Sequence, residues 1–354
     1  MNNLMDLRLL EYDSEIDKYV QLESIVVPIL EEKLRQAEIT PMQIAHRIKT
    51  KESVAEKLER KPNKYPTVTK MMDLLGVRII CYFSNQVDQI AEIIRSILKI
   101  DEKNSIDKRK TLEPNTFGYL SLHYICSIPN GEGYPEELTR LKFEIQIRTV
   151  LQHTWAEIEH DLGYKTEFGI PKELRRNFSR VAGLLEIADE AFLQIRQSFQ
   201  EYELDVRERI ANDTADDMHL DLVTLRAYLE LSKTMQGLLA EIAAITNSIV
   251  VETSPESYIL NLEFFGVHTL GEMNEFVREG YDNAVFLARK ALANVELDEV
   301  SSVAGLHYLC RAHLVNGDYD EMQLMNYYML GEGTENRAKQ QTKNILRIRR
   351  DIRK

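Results

Sequence analysis

Glu144-Ile-Gln-Ile-Arg-Thr149, running into His153-Thr-Trp-Ala-Glu-Ile-Glu-His-Asp161, decides the fold of this 354-residue chain. From Leu141 the residues alternate strictly. Leu141, Phe143, Ile145 and Ile147 point one way; Lys142, Glu144, Gln146 and Arg148 point the other. This is a strand with one apolar face laid on a core. Its other face carries a carboxylate, an amide and a guanidinium in succession, which is costly to desolvate unless the face is solvated or binds something polar. The helix that follows sets Leu151, Trp155, Ile158 and Leu162 at helical spacing, which predicts that it docks on the same core.

Two further strands are predicted: Val77 to Phe83, with Arg78, Ile80 and Tyr82 opposite its apolar face, and Tyr119 to Ile128, with Tyr119, Ser121 and His123 opposite. Helices are expected from about 12 to 37, after Thr50 with Val54 and Leu58 inward, and from Val87 to Leu98. A polar, basic loop, Lys103 to Phe117, contains Pro114 and Asn115. The order gives an α+β domain over residues 1–205, a small mixed β-sheet flanked by helices. After Pro171 no convincing strand follows. Residues 206–354 are expected to form an all-α C-terminal domain. Within it, Glu279-Gly-Tyr-Asp-Asn-Ala-Val and Asn316-Gly-Asp-Tyr-Asp-Glu-Met echo each other as helix starts, a tetratricopeptide-like pattern that stands beside the reading of a plain helical domain.

A net charge of -13 argues against a general nucleic-acid coat, though not against a local basic site. Three scattered cysteines, Cys81, Cys126 and Cys310, fit a reducing compartment and give no C-x-x-C zinc pattern. The first residues carry no signal-peptide pattern. The greasiest window, Gly237 to Val251, is too short and too polar to span a bilayer. A cytoplasmic protein is expected.

If the three strands share a sheet, Arg78, the Tyr119/Ser121/His123 row and the Glu144/Gln146/Arg148 row line one surface. Asp73 precedes the first strand, Arg47, Lys49 and Lys57 lie upstream, and Lys108, Arg109 and Lys110 fill the loop before Tyr119. Cations converging on two carboxylates suit polyphosphate with a divalent metal: magnesium takes carboxylate and phosphate oxygens, and Lys and Arg neutralise phosphoryl charge. The plain alternatives are a strand-turn cap for Asp73, a Glu144–Arg148 pair, a solvated helix end for Arg47 and Lys49, and structural roles for Tyr119 and His123.

Arg47-Ile-Lys49, Lys57, Asp73-Leu-Leu-Gly-Val-Arg78, Gly118-Tyr119-x-Ser121-Leu122-His123 and Glu144-Ile-Gln-Ile-Arg-Thr149…Trp155-Ala-x-Ile-Glu159-His160 resemble the RelA/SpoT-type alarmone synthetase domain, in order and spacing, over roughly residues 12–200. The resemblance implies a nucleotidyltransferase-like fold and an Mg2+-dependent GTP pyrophosphokinase that moves the β,γ-pyrophosphoryl group of ATP to the 3′-hydroxyl of GDP or GTP. It implies that Asp73 and Glu144 are catalytic and hold the metal, with Glu144 orienting or deprotonating the acceptor hydroxyl. Arg47 and Arg78 would sandwich adenine, and Lys49 and Lys57 would hold ATP phosphates. Lys108, Lys110, Tyr119, His123, Gln146 and His153 would serve the acceptor nucleotide, with Tyr119 stacking on its base. The hydrolase domain of bifunctional relatives is not expected here, although His160-Asp161 resembles a metal-hydrolase dipeptide.

The acceptor loop departs from the family's usual Lys-Pro-Asn-Gly-Tyr-Arg-Ser. It reads Glu113-Pro114-Asn115-Thr116-Phe117-Gly118-Tyr119-Leu120-Ser121, and His153 stands where an amide is usual. The donor side matches throughout. Relatives that pyrophosphorylate adenosine nucleotides or the tRNA 3′ end therefore remain alternatives, as does a non-catalytic nucleotide-sensing protein. The basic end, Arg337 to Lys354, is either a partner for RNA or an acidic protein or a solvated helix. A regulatory C-terminal half and a homo-oligomer complete the expectations.

Overall fold

In the computed structural model, residues 2–61, 63–111, 121–131, 133–164, 172–330 and 334–352 are described. Two compact units divide the chain, Met1–Gln197 and Ser198–Lys354.

The first unit contains α1 (Asn2–Gln36), β1 (Gln43–Ile48), α2 (Lys51–Arg60), a 3-10 turn (Val68–Lys70), β2 (Leu75–Cys81), α3 (Ser84–Ile97), β3 (Lys99–Ile100), β4 (Ile106–Asp107), α4 (Lys108–Thr111), β5 (Leu122–Ser127), α5 (Glu136–Thr139), β6 (Phe143–Thr149), α6 (Val150–Tyr164) and α7 (Lys172–Ala211), within which the division falls. The sheet order is β1-β2-β6-β5-β3, with β4 also on β5. Only β2 and β6 pair in parallel; the other pairings are antiparallel, so the sheet is mixed, as expected.

The central strand β6 shows why the sheet holds. Phe143, Ile145 and Ile147 are each fully buried, and burying such a side chain is worth roughly 1.5–3 kcal/mol. They share a core with Val77 and Ile79 of β2, Leu22, Val26 and Leu30 of α1, and Ile90 and Ile94 of α3. Helices α1 and α3 therefore cover the apolar face and leave the polar face for other work. Thr50 caps α2 by accepting from the Ser53 amide, and Val54 and Leu58 turn inward as their spacing predicts.

The helix α6 departs from expectation. Trp155 is buried and its indole donates to the Phe178 carbonyl, but Ile158 and Leu162 are about half exposed. They lie beyond the part of α6 that packs on the sheet. On α7 several large apolar side chains also point outward: Val181, Leu184, Phe192 and Ile195 are exposed, while Ala182 and Asp189 are buried.

The second unit contains α8 (Leu222–Leu231), α9 (Lys233–Thr246), β7 (Ile249–Val251), α10 (Tyr258–Phe264), α11 (Leu270–Leu292), β8 (Glu299–Ser301), α12 (Ala304–Asn316), α13 (Glu321–Met329) and α14 (Glu335–Ile352). The unit is built of helices, as expected, with one small addition: β7 and β8 form a two-stranded parallel sheet. The tetratricopeptide-like echo fails at its first half: Glu279 to Val285 lies inside α11 rather than at a helix start. Gly280 is there because a Cβ would come 2.7 Å from the His313 ring. The second echo does begin a helix, since Asp320 caps α13 through the Gln323 amide. In α14 the basic end is partly structural: Arg349 donates to the carbonyls of Leu314, Val315 and Tyr319 and so closes the end of α12.

No helix among the described residues is long and apolar enough to cross a membrane.

Candidate active site

Strand register puts the polar side chains on one face. Arg47 of β1 pairs with Gly76 of β2, and Ala45 pairs with Arg78. Directly opposed residues share a face, so two arginines alternate with two small residues in a checkerboard. Diagonal neighbours of this kind stand about 7–8 Å apart. A flat ring in contact at roughly 3.5 Å on each side needs about that width. Arg47 lies on a strand that sequence periodicity missed, and it is exposed. Arg78 is anchored: its Nη1 donates to Glu157 Oε1 of α6 at 2.8 Å.

Glu144 of β6 lies opposite Gly76 on one side and Ile125 on the other. A Cβ added at Gly76 would meet nothing within 4 Å. Open space therefore lies over the sheet between Arg47 and Glu144. Asp73, just before β2, borders it. Lys49 Nζ donates to Asp73 Oδ2 at 2.6 Å, and Lys57 Nζ reaches both oxygens at 2.7 and 2.6 Å. Burial alone would raise the Asp73 carboxyl, but the two lysines outweigh it and hold the group below its ordinary value. Lys57 is lowered by burial and raised by more through Asp73, so its net shift is upward.

Glu144 is held on both oxygens. Its Oε1 is 2.8 Å from His123 Nδ1, and its Oε2 accepts from Gln146 Nε2 at 2.9 Å. Burial pushes its carboxyl up, and His123 and Gln146 pull it down by more, leaving it below the ordinary value. The Asp73 charge opposes that lowering, so the two carboxylates sense each other across the hollow. Asp73 and Glu144 are thus close enough for their charges to interact beside the open space at Gly76.

The remaining expected residues are less uniform. Gln146 bridges Glu144 and Arg148, whose Nη2 donates to its Oε1. Arg148 itself is buried, as is Ser121, so neither lines an open surface. Arg109 is tied to Asp107 and Asp88, a structural pairing. Lys108, on α4, is close enough to Glu159 of α6 for its charge to oppose the rise that burial gives that carboxyl. Tyr119, Glu113 and Leu120, and the side chain of Lys110, lie outside the described residues. His153, expected beside the acceptor, stands by Glu157 with Nδ1 at 3.7 Å from Oε1. Burial and then the charges of Arg148 and Arg78 lower it, so it is held neutral beside the arginine row.

Sequence reasoning missed Glu157 and the hollow at Gly76. Glu157 is four residues after His153, which places both on one face of α6, but only the strand register shows that Arg78 meets them. Among the described residues no cluster of three or more His, Cys, Asp or Glu side chains is arranged for a metal. Two carboxylates with an open space beside them do fit magnesium, which takes one or two carboxylates and leaves its other positions to water and phosphate.

A family model described as a region found in RelA / SpoT proteins matches residues 46–168, the segment that carries these side chains. The GTP pyrophosphokinase YwaC of Bacillus subtilis (strain 168) is 32% identical over 154 residues, covering 43% of this chain and 71% of the relative. The GTP pyrophosphokinase YjbM of the same organism is 29% identical over 165 residues, covering 45% and 73%. The crystal structure of small alarmone synthetase 2 from Bacillus subtilis aligns at 30% identity with a TM-score of 0.42, covering 55% of this chain and 98% of that one. The shared sequence runs through Lys49, Asp73, Arg78 and Glu144 and takes in most of a pyrophosphokinase's length; by that measure this chain belongs to the RelA/SpoT family.

Proposed function

We propose that this chain is a GTP pyrophosphokinase that transfers pyrophosphate from ATP to the ribose 3′-hydroxyl of GDP or GTP, making the alarmone (p)ppGpp. The observation that carries this reading is the pair Asp73 and Glu144 on one cleft, each held ionised by its own donors, beside the diagonal arginines. The first unit is assigned this activity and the second a regulatory role.

The roles proposed for the residues are those the family resemblance implies, and the geometry supports them. Arg47 and Arg78 grip adenine between their guanidinium planes. Lys49 and Lys57 turn from Asp73 to the phosphates, each with three donors to share. Asp73 and Glu144 would hold Mg2+, which supplies neutralisation of charge on the phosphate oxygens. The acceptor 3′-oxygen attacks the β-phosphorus, the bond from that phosphorus to the oxygen of the α-phosphate breaks, and AMP leaves. Glu144 receives the hydroxyl proton or orients the hydroxyl for attack. His123 and Gln146 fix Glu144 from both sides, and with Lys108, Lys110, Tyr119 and His153 they are assigned to the acceptor side. Positioning and charge carry most of such a transfer.

The test uses ATP labelled at the γ position with magnesium and, separately, GDP, GTP, ATP or tRNA. Label on a guanosine nucleotide is the expected result. Label only on tRNA or an adenosine nucleotide transfers the reading to those acceptors. Equal, zero transfer by the wild type and Asp73→Ala overturns it in favour of a nucleotide-sensing protein.

Cytoplasmic location is proposed from the three cysteines, all free and buried. A homo-oligomer is proposed from the exposed row Val181, Leu184, Phe192 and Ile195 on α7, a heptad-like stripe suited to the same helix of a second copy.

A further inference from the structure

We infer that Glu157 is a positioning residue for the donor nucleotide, acting through Arg78, and that it sets affinity for the adenine base. This rests on the pyrophosphokinase reading and adds a residue to it.

Arg78 sits on the polar face of β2 with its side chain about a third exposed. A long guanidinium there has many rotamers, and holding one costs up to about 2 kcal/mol of side-chain entropy. Glu157 removes that freedom in advance. Its Oε1 accepts a hydrogen bond from Arg78 Nη1 at 2.8 Å. The contact is made to the edge of the guanidinium, through an N–H that lies in its plane, and so leaves the two flat faces open for a ring. Arg47 faces the same slot from the diagonal position, with Gly76 and Ala45 as the small residues between.

The surroundings make Glu157 the charge that matters. His153, the other group near it on α6, is lowered by burial and by Arg148 and Arg78. It adds little positive charge to compete for the carboxylate at neutral pH. Glu157 itself is about half exposed, so its removal leaves no cavity. Its contribution to folding as a surface ion pair is small. A side chain with little structural value that pins a substrate-facing arginine is best explained by the substrate.

The effect is expected in the ground-state grip on adenine, because Glu157 acts through Arg78, which the functional reading assigns to the base and not to the phosphates. Glu157→Ala in the full chain is expected to raise KM for ATP by about five- to tenfold. It should leave kcat at saturating ATP within twofold and KM for GDP unchanged. Glu157→Gln, which keeps an acceptor oxygen, should recover most of the affinity. Glu157→Ala on an Arg78→Ala background should add nothing, since the residue acts through the arginine. Titration with a non-hydrolysable ATP analogue reads the same loss without turnover. If Glu157→Ala matches the wild type, or lowers kcat with KM for ATP unchanged, or weakens ATP equally with and without Arg78, the inference fails. If the wild type itself transfers no pyrophosphate, the functional reading fails instead, and analogue binding still decides the role of Glu157.

Discussion

Replacing Glu144 with Gln isolates the carboxylate charge better than any other change in the site. The substitution keeps volume and one acceptor oxygen. Both ordinary partners can adapt: the amide oxygen continues to accept from Gln146 Nε2, and the new amide NH2 donates to His123 Nδ1 once that ring moves its proton to the other nitrogen. Both neighbours of the side chain stay within hydrogen-bonding reach, so the fold should be retained. The lost function is the charge. A positioned general base contributes about 10²–10⁴-fold to a proton-transfer step, equivalent to about 3–5 kcal/mol of barrier. Glu144→Gln is therefore expected to lower kcat by two to four orders of magnitude. Affinity for a non-hydrolysable ATP analogue should stay within about twofold when measured without metal, because the adenine slot and the lysines are untouched. Single-turnover transfer of label from γ-labelled ATP to GDP is the assay, with calorimetric titration of the analogue beside it. A variant that keeps turnover within threefold of the wild type would remove Glu144 from the chemistry. One that loses analogue binding in step with turnover would show it to be a binding residue only.

Gly76→Ala should fold normally, since the added Cβ meets nothing within 4 Å; if the hollow receives phosphate or metal, activity falls at least tenfold with an unchanged melting curve, and full activity means the hollow is idle. Asp189 accepts from Thr149 Oγ1 at 2.7 Å at the end of β6, and burial pushes its carboxyl up from 3.8 to about 6. The folded state then favours the protonated acid, so this group's contribution is best below about pH 4 and erodes as pH rises through 6, by up to about 3 kcal/mol; Asp189→Asn should abolish that slope in urea melts across pH 4–8, and an identical slope refutes the assignment. Asp73 has the opposite sign: lowered from 3.8, it stabilises the fold above that pH and loses the contribution as pH falls, so acid unfolding of Asp73→Asn should show a weaker pH dependence than the wild type. Leu184→Glu with Ile195→Glu should shift sedimentation to the monomer if α7 pairs with a second copy, and should change nothing if the chain is already monomeric.

The sheet was readable where the signal is local. The alternation of Phe143, Ile145 and Ile147 needs only its own strand, and all three are fully buried. The strand β1 escaped notice because its apolar members, Ile44 and Ile48, are only half-buried and the intervening Ala45 blurs the alternation. Helical spacing on α6 found Trp155 correctly and then ran on to Ile158 and Leu162, because periodicity locates an apolar stripe without saying how much of it is covered. Gly280, in a segment that looks like a helix start, is instead a point of close packing against His313, a contact 33 residues distant in sequence and invisible to a local pattern. The strands β7 and β8 are three residues each and pair across about fifty residues, so no local run announces them. In the candidate site, residue types and order singled out the carboxylates and the lysines, and the structure pairs Lys49 and Lys57 with Asp73. The pairing of Arg78 with Glu157 required register between β2 and the helix after β6.

The charge arrangement around the cleft also explains why so polar a sheet face is stable without substrate. Asp73 and Glu144 repel each other, and each is offset separately: the first by Lys49 and Lys57 from two different elements, the second by His123 and Gln146 from two strands. Neither carboxylate depends on the other's partners. The lysines are therefore already collected at the cleft when a triphosphate arrives, and their side-chain entropy has been lost during folding rather than on binding. Arg47, Lys49, Lys57 and Arg78 stand against Asp73, Glu144 and Glu157, so this patch is slightly positive in a chain of net charge -13. A polyanion is drawn to that patch. A divalent cation shared by the two carboxylates would relieve the repulsion that Asp73 exerts on Glu144, which supports the proposed metal–nucleotide reading of the pair.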